Sequence, residues 1–254
     1  MGPLDRPIMA TITLRVSGDR AKHGEEIAVA DLSVALDAAE GLAWVDIRNP
    51  DADERKWLLA QGYHEMAVED CFKEPVSKAY VYDTHRFVVV RARDADKEID
   101  TEFLCVFVTD ELLVTVRHSA MPAVNNFGKR FGSKKIQRRV ELGAEYLLYE
   151  ILDAIADDWY RILRGYSTQI DELEDGVFAP NMKYPNMLQE LHVLKQDLRE
   201  ISKSVTPLHE VVSRMMRPDQ EYITDSCMMY WEDIFDVLLS LIPISEPTRR
   251  YAIA

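Results

Sequence analysis

The sequence predicts an α+β protein: an α/β/α sandwich around a mixed sheet, followed by long α-helices that form an antiparallel hairpin and begin a stalk. Before residue 141, β-branched residues gather in strand-length clusters separated by short helical stretches. After it, apolar residues recur at steps of three and four over more than thirty residues, the period of a helix packed along one face. Several of the strand clusters are too apolar for a sheet with one wet face, which implies helices on both sides. The chain is accordingly divided into an α/β sandwich over 1–140, a long-helix region over 141–238 and a tail over 239–254.

The first strand is Thr11–Val16 (TITLRV), whose alternation fits one exposed face. Leu42–Ile47, Arg86–Ala92, Glu102–Val108 and Leu112–Val116 are the apolar strands, and Asp110-Glu111 between the last two suits a hairpin turn that makes them antiparallel. Asn49-Pro50-Asp51 before ADERKWLLAQ reads as a capped helix start with acids in the first turn, and His64–Phe72 (HEMAVEDCF) as a second short helix. Leu148, Leu152, Ile155, Trp159, Ile162, Tyr166, Ile170, Leu173 and Val177 then form the seam of a long helix, with Gly165 costing about 1 kcal/mol relative to Ala. The Pro/Asn-rich run from Ala179 to Asn186 breaks it. A second stripe runs from Leu188 to Met215, with Pro207 expected to kink the helix near Lys203. A third helix is expected from about Asp225 to Leu238. Leu239–Ala254 (LSLIPISEPTRRYAIA) loses helical periodicity, carries Pro243 and Pro247 and resembles the in-frame translation of a transposase adaptor. It is set apart as a non-native tail, with a longer natural protein expected.

Charge and composition narrow the function. The 254 residues carry 44 acidic and 30 basic side chains, a net charge of −14, with 47% hydrophobic residues. That is a globular composition. It argues against nucleic acid as a main partner, because phosphate backbones need a positive surface, and it leaves room for divalent cations. Cys71, Cys105 and Cys227 lie far apart without a CxxC pair and read as reduced thiols. The start, MGPLDRPIMA, has no apolar signal core. The cleanest apolar run, Phe103–Val108, is far shorter than the roughly 20 residues of a membrane span, so this stretch of chain is expected to be soluble.

No enzyme signature is present: there is no GxGxxG, Walker loop, GxSxG, HExxH or EF-hand loop. The histidines (His23, His64, His85, His118, His192 and His209) are scattered, and His192 and His209 would lie about 25 Å apart along one helix. No catalytic residue is assigned, and the chain is read as not an enzyme. The carboxylates stand out instead. Glu69-Asp70 ends an apolar helix, Asp153 sits beside the long seam, and Asp157-Asp158 follow on the next turn. Glu232-Asp233 and Asp236 lie among Tyr230, Trp231, Ile234 and Phe235. Acids so close to apolar faces are paired, solvated at an edge or bound to a cation. Arg161 and Arg164 are candidate partners, and a hard divalent cation with oxygen ligands is the alternative; composition leaves both open.

Seven segments in order carry a resemblance: WVDIRNPDADERKWLL, HEMAVEDCF, SKAYVYDTHRFVVVRA, TEFLCVFVTDELLVTVRH, YLLYEILDAIADDWYRILRGYSTQIDELEDGVF, LKQDLREISKSVTPLHEVVSRM and YWEDIFDVLL. From about Leu42 to Leu238 the chain resembles the cytoplasmic part of the CorA family of magnesium and cobalt transporters. The resemblance implies an α/β sandwich followed by long helices, in a homopentamer of the inner (plasma) membrane. It further implies that the last cytoplasmic helix continues as the pore-lining helix to an ion-selecting Gly-Met-Asn loop, ahead of a second membrane helix. Neither membrane helix nor that loop is in the sequence, so the resemblance implies an ion-sensing cytoplasmic part without the pore. The family's regulatory sites bind Mg²⁺, and also Co²⁺, between adjacent subunits. Carried over by motif, the metal ligands are Glu69 and Asp70 of the VED triplet, Asp153 of LLYxxLDA, and Asp233, the first Asp of the aromatic segment around YWEDIFD. One departure is Val76-Ser77 where the family has Arg-Pro before the lysine at Lys78. Empty sites leave like charges between subunits, which favours their separation, whereas bound Mg²⁺ holds a closed ring.

Three alternatives are weighed. The zinc-transporting ZntB branch shares the fold, with the intact acid pair of the VED triplet favouring the CorA reading. A soluble coiled-coil assembly protein without transport would lack two apolar spans in its natural reading frame. A metal-dependent hydrolase is the weakest, because no base, nucleophile or substrate pocket can be named.

Overall fold

The computed structural model describes residues 10–18, 24–96, 99–178, 187–218 and 222–245, with the side chains of 174–178 and 187–188 left aside. Seven strands form one sheet: β1 (Thr11–Val16), β2 (Glu25–Glu26), β3 (Ala43–Arg48), β4 (Lys78–Val81), β5 (Arg86–Arg93), β6 (Thr101–Val108) and β7 (Leu112–Arg117). Their order is β2-β1-β3-β7-β6-β5-β4. Only β3 and β7 pair in parallel; the other neighbours are antiparallel, including the β6–β7 hairpin that the Asp110-Glu111 turn predicts.

Both faces of the central strands are covered. Phe87, Val89, Cys105, Phe107, Val114 and Val116 point toward α1 (Val29–Asp37), α2 (Ala52–Ala60) and α3 (Glu65–Asp70). The alternate residues, Val88, Val90, Leu104, Val106 and Leu113, point toward α4 (Pro122–Arg130) and toward the long helices. Each such buried aliphatic side chain contributes roughly 1.5–3 kcal/mol of transfer free energy. This is why these strands read as continuous apolar runs rather than as alternation. The helix start at Asp51 is capped as its sequence predicts: the Asp53 amide donates to the Asp51 carboxylate at 2.8 Å, and the Asp51 amide to Glu54 at 2.8 Å.

After α4 come α5 (Lys134–Gln137) and a 3₁₀ turn (Val140–Leu142), then α6 (Ala144–Phe178), α7 (Met187–Met215) and α8 (Met228–Ser245). Leu148, Leu152, Ile155, Trp159 and Tyr166 of the predicted seam are buried. Tyr166 on α6 donates to Asp197 on α7 at 3.0 Å, tying the two helices of the hairpin together. The break from Ala179 to Asn186 lies outside the described residues. α7 runs through Pro207 without interruption.

Three expectations are corrected. The short strands β2 and β4 and the helices α1 and α4 carry no signal strong enough to stand out from their loops, and were not anticipated. The third helix begins at Met228 rather than near Asp225, because residues 225–227 form a turn closed by the Cys227 amide donating to the Thr224 carbonyl at 3.0 Å. That helix also does not end at Leu238. It continues to Ser245 through Pro243, because Ile234, Leu238, Leu241 and Ser245 extend one buried stripe at steps of four, three and four. The remainder of the segment set apart as a tail, 246–254, lies outside the described residues.

Candidate metal-sensing site

The four carboxylates singled out from the sequence fall into two clusters on opposite faces of the sheet. α3 packs on one face and carries Glu69 and Asp70 in its last turn. Its N-terminus is capped by His64, whose ring accepts from the Met66 amide at 3.2 Å. Glu69 is exposed and pairs with Lys73 one turn on; this hydrogen bond and the lysine charge hold its carboxyl below the usual range. Asp70 is more enclosed, with 21% of its side chain exposed, and it pairs with Lys78 at the start of β4 at 2.5 Å. The Val76-Ser77 departure lies on the loop between them, with Val76 fully in solvent.

The second cluster lies where α6 meets α8. Their register is fixed by aromatic contacts: Tyr149 lies 5.3 Å from Tyr230 and 6.3 Å from Trp231, centroid to centroid. Glu145, in the first turn of α6, accepts from the Thr224 amide at 3.0 Å and from Arg86 at 3.2 Å, which pins the approach to α8. Glu150, Asp153 and Asp157 follow at steps of three and four, so they share one helix face. Glu150 is completely buried, accepting from the Tyr146 hydroxyl and from Lys135 at 3.0 Å, while its second oxygen has no partner among the described residues. The Asp153 carboxyl is pushed up to about 6, first by burial and then by the charges of Asp157, Glu150 and Asp233, with Lys135 opposing. Asp233 on α8 is thus an electrostatic neighbour of Asp153.

Asp158 turns the other way. It is buried and held by Arg93 of β5 at 2.9 and 3.4 Å and by Arg161 at 3.0 Å. Of the two arginines weighed as partners, Arg161 pairs with Asp158, whereas Arg164 lies over the Tyr160 ring at 5.8 Å. Glu232, Asp233 and Asp236 are all exposed on α8, as is Asp157 on α6. Sequence reasoning missed Lys135, Arg93 and Glu150. The spacing of Glu150, Asp153 and Asp157 could have flagged the last; the partners of the acids come from distant elements and leave no local signal. Among the described residues no group of three or more acids, histidines or cysteines is arranged to enclose a metal within one chain.

The fold is a two-faced α/β sandwich bearing a long helical hairpin and a further helix, with acids grouped along the helices. The chain belongs to the family of CorA-like Mg²⁺ transporter proteins, whose sequence profile matches residues 39–250. That match reaches into the segment after Leu238. The chain is 26% identical over 209 residues to YfjQ of Bacillus subtilis (strain 168), provisionally named a metal ion transporter, covering 81% of this chain and 64% of that protein. It is 26% identical over 193 residues to the cobalt/magnesium transport protein CorA of Thermotoga maritima, covering 74% of this chain and 54% of that one. The chain therefore spans less than two thirds of either relative, and no helix among its described residues is long and apolar enough to cross a membrane. In fold it is similar to the soluble domain of CorA from Methanocaldococcus jannaschii (TM-score 0.74, 21% identity, 94% of this chain and 92% of that one). It is also similar to the ZntB cytoplasmic domain from Vibrio parahaemolyticus (TM-score 0.66, 12% identity, 94% and 95%). The family is one of ion transporters, not of enzymes.

Proposed function

We propose that this chain is the cytoplasmic ion-sensing part of a CorA-type divalent-cation transporter. In the full-length protein it would stand as a homopentamer at the inner (plasma) membrane, closed by Mg²⁺ held between subunits by Glu69, Asp70, Asp153 and Asp233. The observation that carries this reading is the strained acidic cluster on α6 and α8. Asp153 is half-buried and feels the charges of Asp157, Glu150 and Asp233, with Lys135 opposing, so a cation that brings positive charge there relieves repulsion. The donor set suits a hard cation that keeps several waters, since it consists of carboxylates alone. Among the described residues no three acids enclose a cation within one chain, so the proposed site draws on neighbouring subunits. The Glu69–Asp70 cluster supplies the complementary acids. There Lys73 and Lys78 hold the charge balance in the isolated chain and would have to yield to the cation.

The test is thermal unfolding of the chain with increasing MgCl₂ at constant ionic strength. Binding to the folded state raises Tm by mass action. Asp70→Ala and Asp233→Ala should abolish that rise, and an undiminished rise in both variants would sink the proposal. Parallel titrations with Co²⁺ and Zn²⁺ address the ion: stabilisation by Zn²⁺ alone would favour the ZntB branch.

A further inference from the structure

The sheet face that packs on α4 is apolar along β5 and β6 but turns polar at its other end. The register β1–β3–β7 places Thr11, Arg48 and Arg117 in one cross-strand row, Thr13, Asp46 and Thr115 in the next, and Arg15, Trp44 and Leu113 in the third. With Glu26 of β2 and Asn125, Gly128 and Lys129 of α4, the first row, Thr13 and Asp46 of the second, and Arg15 line a cleft of about 600 Å³. Its charges do not balance. Arg117 is satisfied by Asp46 at 2.7 and 3.0 Å, by Asn125 at 2.9 Å and by the Ser119 carbonyl at 3.0 Å. Beyond the Arg117–Asp46 pair, the lining sets Arg15, Arg48 and Lys129 against Glu26, with Asp46 also attracting Arg15, and among the described residues Arg48 and Lys129 form no ion pair.

Arg15 is held in place between the attraction of Asp46 and the repulsion of Arg117. Its guanidinium lies over the Trp44 ring at 4.6 Å, and one of its terminal nitrogens is buried with no hydrogen-bond partner. A Cβ at position 128 would come within 2.9 Å of the other terminal nitrogen, so glycine there leaves the group its room. Arg48 sits directly opposite Arg117 in the parallel register, a like-charge pair that costs stability unless an anion lies between them. A net excess of two positive charges has been concentrated in one concave, half-enclosed place on a chain of net charge −14. Among the described residues the half-buried Arg15 keeps one buried nitrogen without a hydrogen-bond partner and the half-buried Arg48 has no ion pair, while Lys129 adds an exposed charge at the rim.

We infer that this cleft is a binding site for a small phosphate-bearing anion of two or more negative charges, separate from the carboxylate clusters. Guanidinium forks match phosphate oxygens, the Thr11 and Thr13 hydroxyls add donors, and the cleft has the volume of a small-ligand site. The phosphate can belong to a free phosphate or polyphosphate or to a nucleotide. The two sources share the recognition chemistry.

The test is isothermal titration of the 254-residue chain in EDTA and low salt with inorganic phosphate, pyrophosphate and ATP, so that the carboxylate sites take no part. Pyrophosphate is expected to bind, with affinity falling as NaCl is added. Arg48→Gln and Lys129→Gln are each expected to weaken it about tenfold, the loss of one charge-assisted contact. Both residues lie at the rim, so these variants keep the test decisive even where Arg15→Gln, which removes the group over Trp44, fails to fold. Equal affinities for pyrophosphate and ATP assign the site to phosphate alone, and a much tighter ATP complex assigns it to a nucleotide. Absence of binding by all three ligands at millimolar concentration overturns the inference. So does an affinity unchanged in the R48Q/K129Q double variant, or lost equally in Lys203→Gln on distant α7.

Discussion

The two acidic clusters have similar chemistry and opposite physics. Glu69 and Asp70 end a short helix at the surface, and each has its own lysine one loop or one turn away. Glu150, Asp153 and Asp157 lie along a long helix packed against another, and Lys135 pairs with Glu150 and offsets part of the charge around Asp153. In the first cluster solvent and ion pairing absorb the charge; in the second, Glu150 is fully buried and burial disfavours the charge of Asp153. Acids become responsive to a cation where water has been removed, not where they are merely numerous.

The largest expected difference concerns the lysines. Lys135→Ala leaves fully buried Glu150 with only the Tyr146 hydroxyl and should cost about 2–3 kcal/mol in urea unfolding. A loss within 0.5 kcal/mol of zero would erase the contrast between the clusters. Next is Asp153→Asn without divalent cation. The Asp153 carboxyl titrates at about 6 in the folded chain against an ordinary 3.8, so the stability it contributes is fully present below about pH 4 and is lost as pH rises through 6. Discounted for partial solvent screening, the variant should be more stable by about 1 kcal/mol at pH 7.5, or roughly 2–4 °C in Tm. Its pH profile should also lose the decline between pH 4 and 6, and a calorimetric profile parallel to the parent's would show that Asp153 is not the strained group. Lys78→Ala opens a half-enclosed pair with Asp70 and should cost about 0.5–1 kcal/mol by the same unfolding measurement. The smallest effect is expected for Lys73→Ala: its partner Glu69 is exposed, and no change in Tm beyond about 1 °C should be seen.

Most of the framework is legible in the chain itself. The β6–β7 hairpin, the Asp51 cap, the α6 seam and the α7 stripe are local patterns, with all their determinants within one or two turns of one another. β2, β4, α1 and α4 are short and draw their stability from the sheet and core they join, so their own residues say little. The continuation of α8 to Ser245 belongs to the same group: Pro243 argues locally for a stop, and the buried stripe through Leu241 overrides it.

The candidate site divides along the same line. The sequence by itself determined that acids stand beside apolar stripes at Glu69, Asp70, Asp153 and Asp233, because residue type and helical period are properties of neighbouring positions. Only the tertiary structure decided which of those acids are strained. Glu150 is buried because α5 and α8 close over α6, Asp158 is paired because β5 brings Arg93 to it, and Arg15 is crowded because three strands and α4 set it beside Arg48, Arg117 and Lys129. Desolvation and charge neighbours depend on what folds over a residue from far along the chain, and no local pattern encodes that.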